Sequence, residues 1–145
     1  MRFWLWGAAA AVVLAVVGGV LVLGNRDMAD EPVALVGTWR PVSITGFVVD
    51  EERRASNRSE PVITFRGDLT AQVSDGCNVG QIRYRTEAGG GFSGDTSGPW
   101  TDIGCENVPN TDVLAKAVRV DVRGDDLTFY GPAGDELGRY ARTSG

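Results

Sequence analysis

Val62-Ile63-Thr64-Phe65-Arg66-Gly67-Asp68-Leu69-Thr70-Ala71-Gln72-Val73-Ser74 is the stretch on which the fold turns. Two β-rich runs flank a Gly-Asp pair, the pattern of a hairpin with a tight turn. The chain then passes through Ser74-Asp75-Gly76-Cys77-Asn78-Val79-Gly80, which carries one of only two cysteines. It continues as Gln81-Ile82-Arg83-Tyr84-Arg85-Thr86. Ile82 and Tyr84 fall on one face there, Arg83 and Arg85 on the other, as in a half-buried strand.

The pattern repeats outward from this centre. Upstream, residues 35–45 read as a strand with Trp39, Val42 and Ile44 as core, and residues 47–49 as a second, short one. Residues 50–61 carry mixed charge without apolar periodicity, which predicts an exposed loop. Downstream, residues 87–91, with Gly89-Gly90-Gly91 in a row, read as a flexible turn, Phe92-Ser93-Gly94 does not read as a helix, and residues 94–99 read as a loop. The triple glycine lacks the Lys and the helix that a phosphate loop needs. Trp100-Thr101-Asp102-Ile103 reads as a short strand. Pro109-Asn110-Thr111 opens the one helix, with Asn110 or Thr111 as its cap and Asp112 suited to its dipole. Val113, Leu114, Ala117 and Val118 form its apolar side. The end is a meander: residues 118–123, a turn at Gly124-Asp125-Asp126, residues 127–130, a turn, then residues 136–142 with Leu137 and Tyr140 as core. The fold expected is mainly β: a small curled antiparallel sheet or calycin-like barrel with one short helix. Closure is favoured because it removes exposed strand edges.

Residues 1–24 are of another kind. Positions 3–24 form 22 uncharged residues without proline, rich in Ala, Val and Leu. About 20 apolar residues suffice for a helix to cross a bilayer, so this run is expected to be a transmembrane anchor. Val22 and Gly24 offer a weak cleavage site, so a removed signal sequence is the other reading. Trp4 and Trp6 suit a membrane interface, and an inside N-terminus would place the rest on the extracytoplasmic side. The chain divides into residues 1–24 as anchor or signal, 25–32 as linker and 33–145 as the domain. Without residues 1–24 the chain keeps 13 basic and 19 acidic residues. That balance opposes nucleic-acid binding, which needs a basic stripe.

Few residues invite chemistry. The chain has no histidine, which removes histidine metal sites and every Ser-His or Cys-His pair. Asp125-Asp126 and the Asp102/Glu106 pair are carboxylate neighbours of the sort that 19 acidic residues produce by chance. Ser74 and Ser93 lie in no nucleophile motif. Cys77 and Cys105 stand 28 positions apart. In an exported domain that favours a structural disulfide over free thiols or metal ligation. No catalytic residue, metal site or cofactor is expected.

Taken together, the elements resemble a known family. Leu35-x-Gly37-x-Trp39, Ile63-Thr64-Phe65, Gly76-Cys77-Asn78, Thr101-x-Ile103-Gly104-Cys105, the helix and Leu127-x-Phe129 are similar to the META domain of HslJ-like bacterial envelope proteins. Here Gly80 follows the first cysteine by three positions where the family often has four. The 87–100 stretch is longer and richer in glycine. The lipid-attachment cysteine of many members is missing. The resemblance implies a calycin-like sheet, an envelope location and a link to stress tolerance, secretion or motility, with no catalytic residues and no defined ligand. The expected function is therefore a non-enzymatic, membrane-anchored envelope domain that binds a protein or envelope component. The alternative is a barrel that holds a small ligand. An open, apolar interior would favour the second and a filled interior the first.

Overall fold

The computed structural model describes residues 34–48, 52, 58–102 and 108–144. Eight antiparallel strands close into a barrel, each bonded to the next in sequence and the last to the first. They are β1 (Gly37–Ile44), β2 (Ile63–Phe65), β3 (Thr70–Ser74), β4 (Val79–Glu87), β5 (Gly91–Asp95), β6 (Arg119–Arg123), β7 (Asp126–Tyr130) and β8 (Glu136–Arg142). A short helix, α1 (Asn110–Lys116), interrupts the meander between β5 and β6. The sheet is thus a full barrel, the more closed of the two forms expected.

Alternation builds the interior. Phe65 pairs with Ala71, and Ala71 with Ile82. Ile63 pairs with Val73 and with Trp39. All six are buried. Directly opposed residues share a face, so one register choice buries the whole set. An aromatic chain runs through the interior. Phe65 meets Tyr84 edge-on at 4.9 Å, Phe92 meets Phe129 at 5.1 Å, and Phe129 meets Tyr140 at 5.7 Å. Offset and edge-to-face pairs like these add to the burial of apolar area. The lumen is packed with side chains.

α1 connects β5 to β6 and packs against β5. The β5–β6 seam is the thinnest in the barrel, with the single register pair Gly91↔Arg119. Val113 and Leu114 are buried on the helix, and Ala117 just after it. Gly94 makes room: a Cβ there would lie 2.9 Å from the Leu114 carbonyl oxygen.

Several expectations are corrected. Val42 is exposed, not core: it falls on the face opposite to the buried Trp39 and Pro41, and the β1–β8 register shift between Pro41 and Ser43 turns Ile44 inward instead. Val118 is also exposed. It is the hinge between α1 and β6, and its backbone bridges Phe92 and Tyr130. Gly91, Gly94 and Asp95, expected in a turn and a loop, belong with Phe92 and Ser93 to strand β5, and Phe92 is core. Phe47 and Trp100 make only isolated bridges, to Ile44 and Gly80, where short strands were expected. Asn110 does not cap α1: the cap position is Pro109, without a side-chain bond. The apolar segment 3–24, the linker 25–32, Cys105 and nearly all of the charged stretch 50–57 lie outside the described residues. Among the described residues no helix is long and apolar enough to cross a membrane.

Candidate functional site

The Gly76-Cys77-Asn78 loop joins β3 to β4 at one end of the barrel. Its organiser is Asp75, which is buried. Asp75 Oδ1 accepts from the backbone N–H of Cys77 at 2.8 Å and of Asn78 at 2.6 Å. Its Oδ2 accepts from the Asn78 side-chain amide at 3.3 Å. An Asp that binds N–H groups two and three residues ahead makes a self-contained turn. Gly76, at φ +100°, supplies the left-handed residue that the turn needs. Asn78 Oδ1 accepts from the Thr101 hydroxyl at 3.2 Å, and that hydroxyl accepts from the Val79 N–H at 2.9 Å. So the structure gathers Gly76, Cys77, Asn78 and Thr101 in one place. Cys77 is half-buried, and no cysteine among the described residues is free.

A second polar chain runs inward from the loop. The Asn110 side-chain amide donates to the Ser74 carbonyl at 2.7 Å, and its Oδ1 accepts from the Tyr140 hydroxyl at 3.0 Å. Val108 N–H donates to the Asp75 carbonyl at 2.9 Å. Burial alone pushes the Tyr140 phenol far above its ordinary value of 10.0. These groups satisfy one another, as buried polar atoms must. The arrangement holds α1 and its approach against the β3–β4 turn.

Gly37 and Trp39 lie elsewhere, beside the chain end. Trp39 is fully buried and its indole N–H donates to the Leu35 carbonyl at 2.7 Å. The Arg142 guanidinium stacks over the Trp39 ring, 4.2 Å from its centre. It also donates to the carbonyls of Val36 at 2.9 Å and Ala34 at 3.2 Å. Gly37, at φ +136°, leaves the space that this guanidinium fills. Trp39 was expected in the core and is buried there, whereas Arg142 carried no local signal.

Open surface is found outside the barrel. A cleft of about 450 Å³ has Trp100, Pro99, Gln72, Gln81 and Arg66 in its walls. Clefts of about 410 and 580 Å³ follow along β4, the last between Arg83, Arg85 and Asp95. Asp68 and Asp95 in this series sit below the usual carboxylate range because the hydroxyls of Thr70 and Ser97 bond to them. Trp100 was legible only as a strand residue. Its surface role arises from a contact between Trp100 and Gly80 that no local pattern announces.

No family model and no curated protein matches the chain. Among solved structures it is similar to a DUF4847 family protein from Bacteroides vulgatus. The two are 14% identical, the match covers 77% of this chain and 95% of that one, and the TM-score is 0.49.

Proposed function

We propose that the chain is a META-type envelope domain without enzymatic activity. In this reading residues 3–24 anchor it in a bacterial membrane, a Cys77–Cys105 disulfide fastens the β3–β4 loop on the extracytoplasmic side, and its outer surface binds a protein or envelope component. The packed lumen carries the proposal. Phe65, Phe92, Phe129, Trp39 and Tyr140 occupy the space where a calycin-like barrel would hold a small ligand. Ligand sites in barrels lie in the mouth and interior; here the remaining surface is external. The motif residues support it too, since Asp75, Asn78 and Thr101 bond to one another, and Asn110 to Ser74 and Tyr140. The uncharged run of residues 3–24 supports the anchor.

Cross-linking in intact cells, followed by purification of the full-length protein from the membrane fraction, tests this reading. The expected result is a membrane-bound protein that retains residues 3–24 and captures a defined envelope partner. Recovery of the chain from the cytoplasmic fraction overturns it. Stoichiometric co-purification of a small metabolite with the barrel would restore the ligand-binding alternative.

A further inference from the structure

The outer face of the barrel along β4 holds a row of clefts that the motif residues do not use. Neighbouring clefts share walls. Gln72 and Val79 border the first two, Gln81 and Pro99 the next two, and Arg83 and Asp95 the last two. The row follows β4 from Val79 to Arg85. At a rise of ~3.3 Å per residue this is about 20 Å, room for several linked sugar rings.

The chemistry of the walls selects among occupants. Trp100 is the one aromatic among the exposed large apolar side chains described. Its ring is seated, not loose: a Cβ at Gly80 would clash with it, and Gly80 and Trp100 are bridged by backbone pairing. One part of the indole therefore rests on backbone, while 37% of the residue stays in solvent. Beside it, Gln72 and Gln81 stand directly opposite in the β3–β4 register. The Gln72 Oε1 accepts from Arg66 Nη2 at 3.0 Å, which orients that amide. A flat aromatic face with a negative quadrupole attracts the weakly positive C–H face of a pyranose. Adjacent amides and guanidinium groups match its hydroxyls, which both donate and accept.

Other occupants fit less well. A peptide that adds as a strand needs a free sheet edge, and the barrel is closed. An amphipathic helix needs a continuous apolar groove, whereas Arg66, Gln72, Gln81, Arg83 and Asp95 interrupt the apolar walls of this row. Nucleic acid meets a chain of net charge -5.

We infer that the β4 face, centred on Trp100, binds a glycan strand of the cell wall. The inference rests on the envelope reading and specifies its partner. Full-length protein in detergent micelles is sedimented with purified, protein-free peptidoglycan sacculi. The expected result is sedimentation that a soluble N-acetylglucosamine hexamer competes away and that stem peptides do not. Trp100→Ala should weaken it by about tenfold or more, and Trp100→Phe by clearly less. Val118→Ala, an exposed apolar change away from the row, should leave it unaltered. Failure of the wild type to sediment overturns the inference. So does equal binding by Trp100→Ala with an unchanged circular-dichroism melt, or competition by stem peptides alone. If cross-linking captures an envelope protein while sacculi do not bind, the glycan site falls and the envelope reading stands. If the chain proves cytoplasmic, the envelope reading falls, and titration with the soluble hexamer still decides the site.

Discussion

Gly37 shows how much can depend on a single missing side chain. Its φ of +136° lies well outside the small left-handed region, about +50° to +70°, that other residues tolerate. A Cβ would also meet the Arg142 guanidinium, which joins Trp39 to the backbone of Ala34 and Val36 just before β1. Gly37→Ala should therefore destabilise the domain by about 1–3 kcal/mol. Gly124→Ala, at φ +61° with nothing near the new atom, should cost less, and urea unfolding of both variants checks the order. The two cysteines give a second prediction at this scale. An exported domain with a Cys77–Cys105 bond should show no titratable thiol when denatured without reductant, and finding two thiols would remove that bond from the proposal. A bond across a loop of this size constrains the unfolded chain by roughly 3–4 kcal/mol.

Elements divide into those that alternation announces and those it hides. β2, β3, β4, β6 and β7 were legible because apolar and polar residues trade places along each of them. β5 was hidden by Gly91 and Gly94, which read as turn formers. Here Gly94 is small because α1 passes over it. The reason is tertiary, and no window of local sequence contains it. Asn110 misled in the same way. Its type and place suggested a helix cap, but its amide bonds to Ser74, 36 positions away. Val42 misled because its spacing groups it with Ile44, and a bulge puts the two on opposite faces. The motif cluster was legible as a set of residues, whereas the β4 clefts were not, since they need three strands in register. The tight fit of α1 on β5 makes Leu114, fully buried, the best probe of this element. Leu114→Ala should cost about 2–5 kcal/mol in unfolding free energy. Leu137→Ala, at a site only partly buried against the core, should cost clearly less by the same measurement.

For the whole molecule, the interior imposes a limit on alkaline tolerance. Burial raises the Tyr140 phenol above its ordinary 10.0, so the folded state keeps a proton that the unfolded chain releases. The stabilisation is fully present below pH 10.0 and is lost as pH rises above it. Urea unfolding from pH 7 to 11 should show stability falling at the alkaline end, and Tyr140→Phe should flatten that fall. The same variant should lose about 1 kcal/mol at neutral pH, because Asn110 Oδ1 loses its donor. Closure has its own consequence. The start of β1 lies beside the end of β8, with Trp39 opposite Arg142 and Ile44 opposite Gly138. Tension applied between the two chain ends would load that seam as a zipper, one rung at a time, with Arg142 as its first tooth. A pull between the N-terminal end and the β4 face would enter the sheet on the far side of β2 and β3 and spread across several strands. The barrel is therefore mechanically anisotropic: soft when drawn by its own ends, stiffer when held between its N-terminal end and whatever its flank grips.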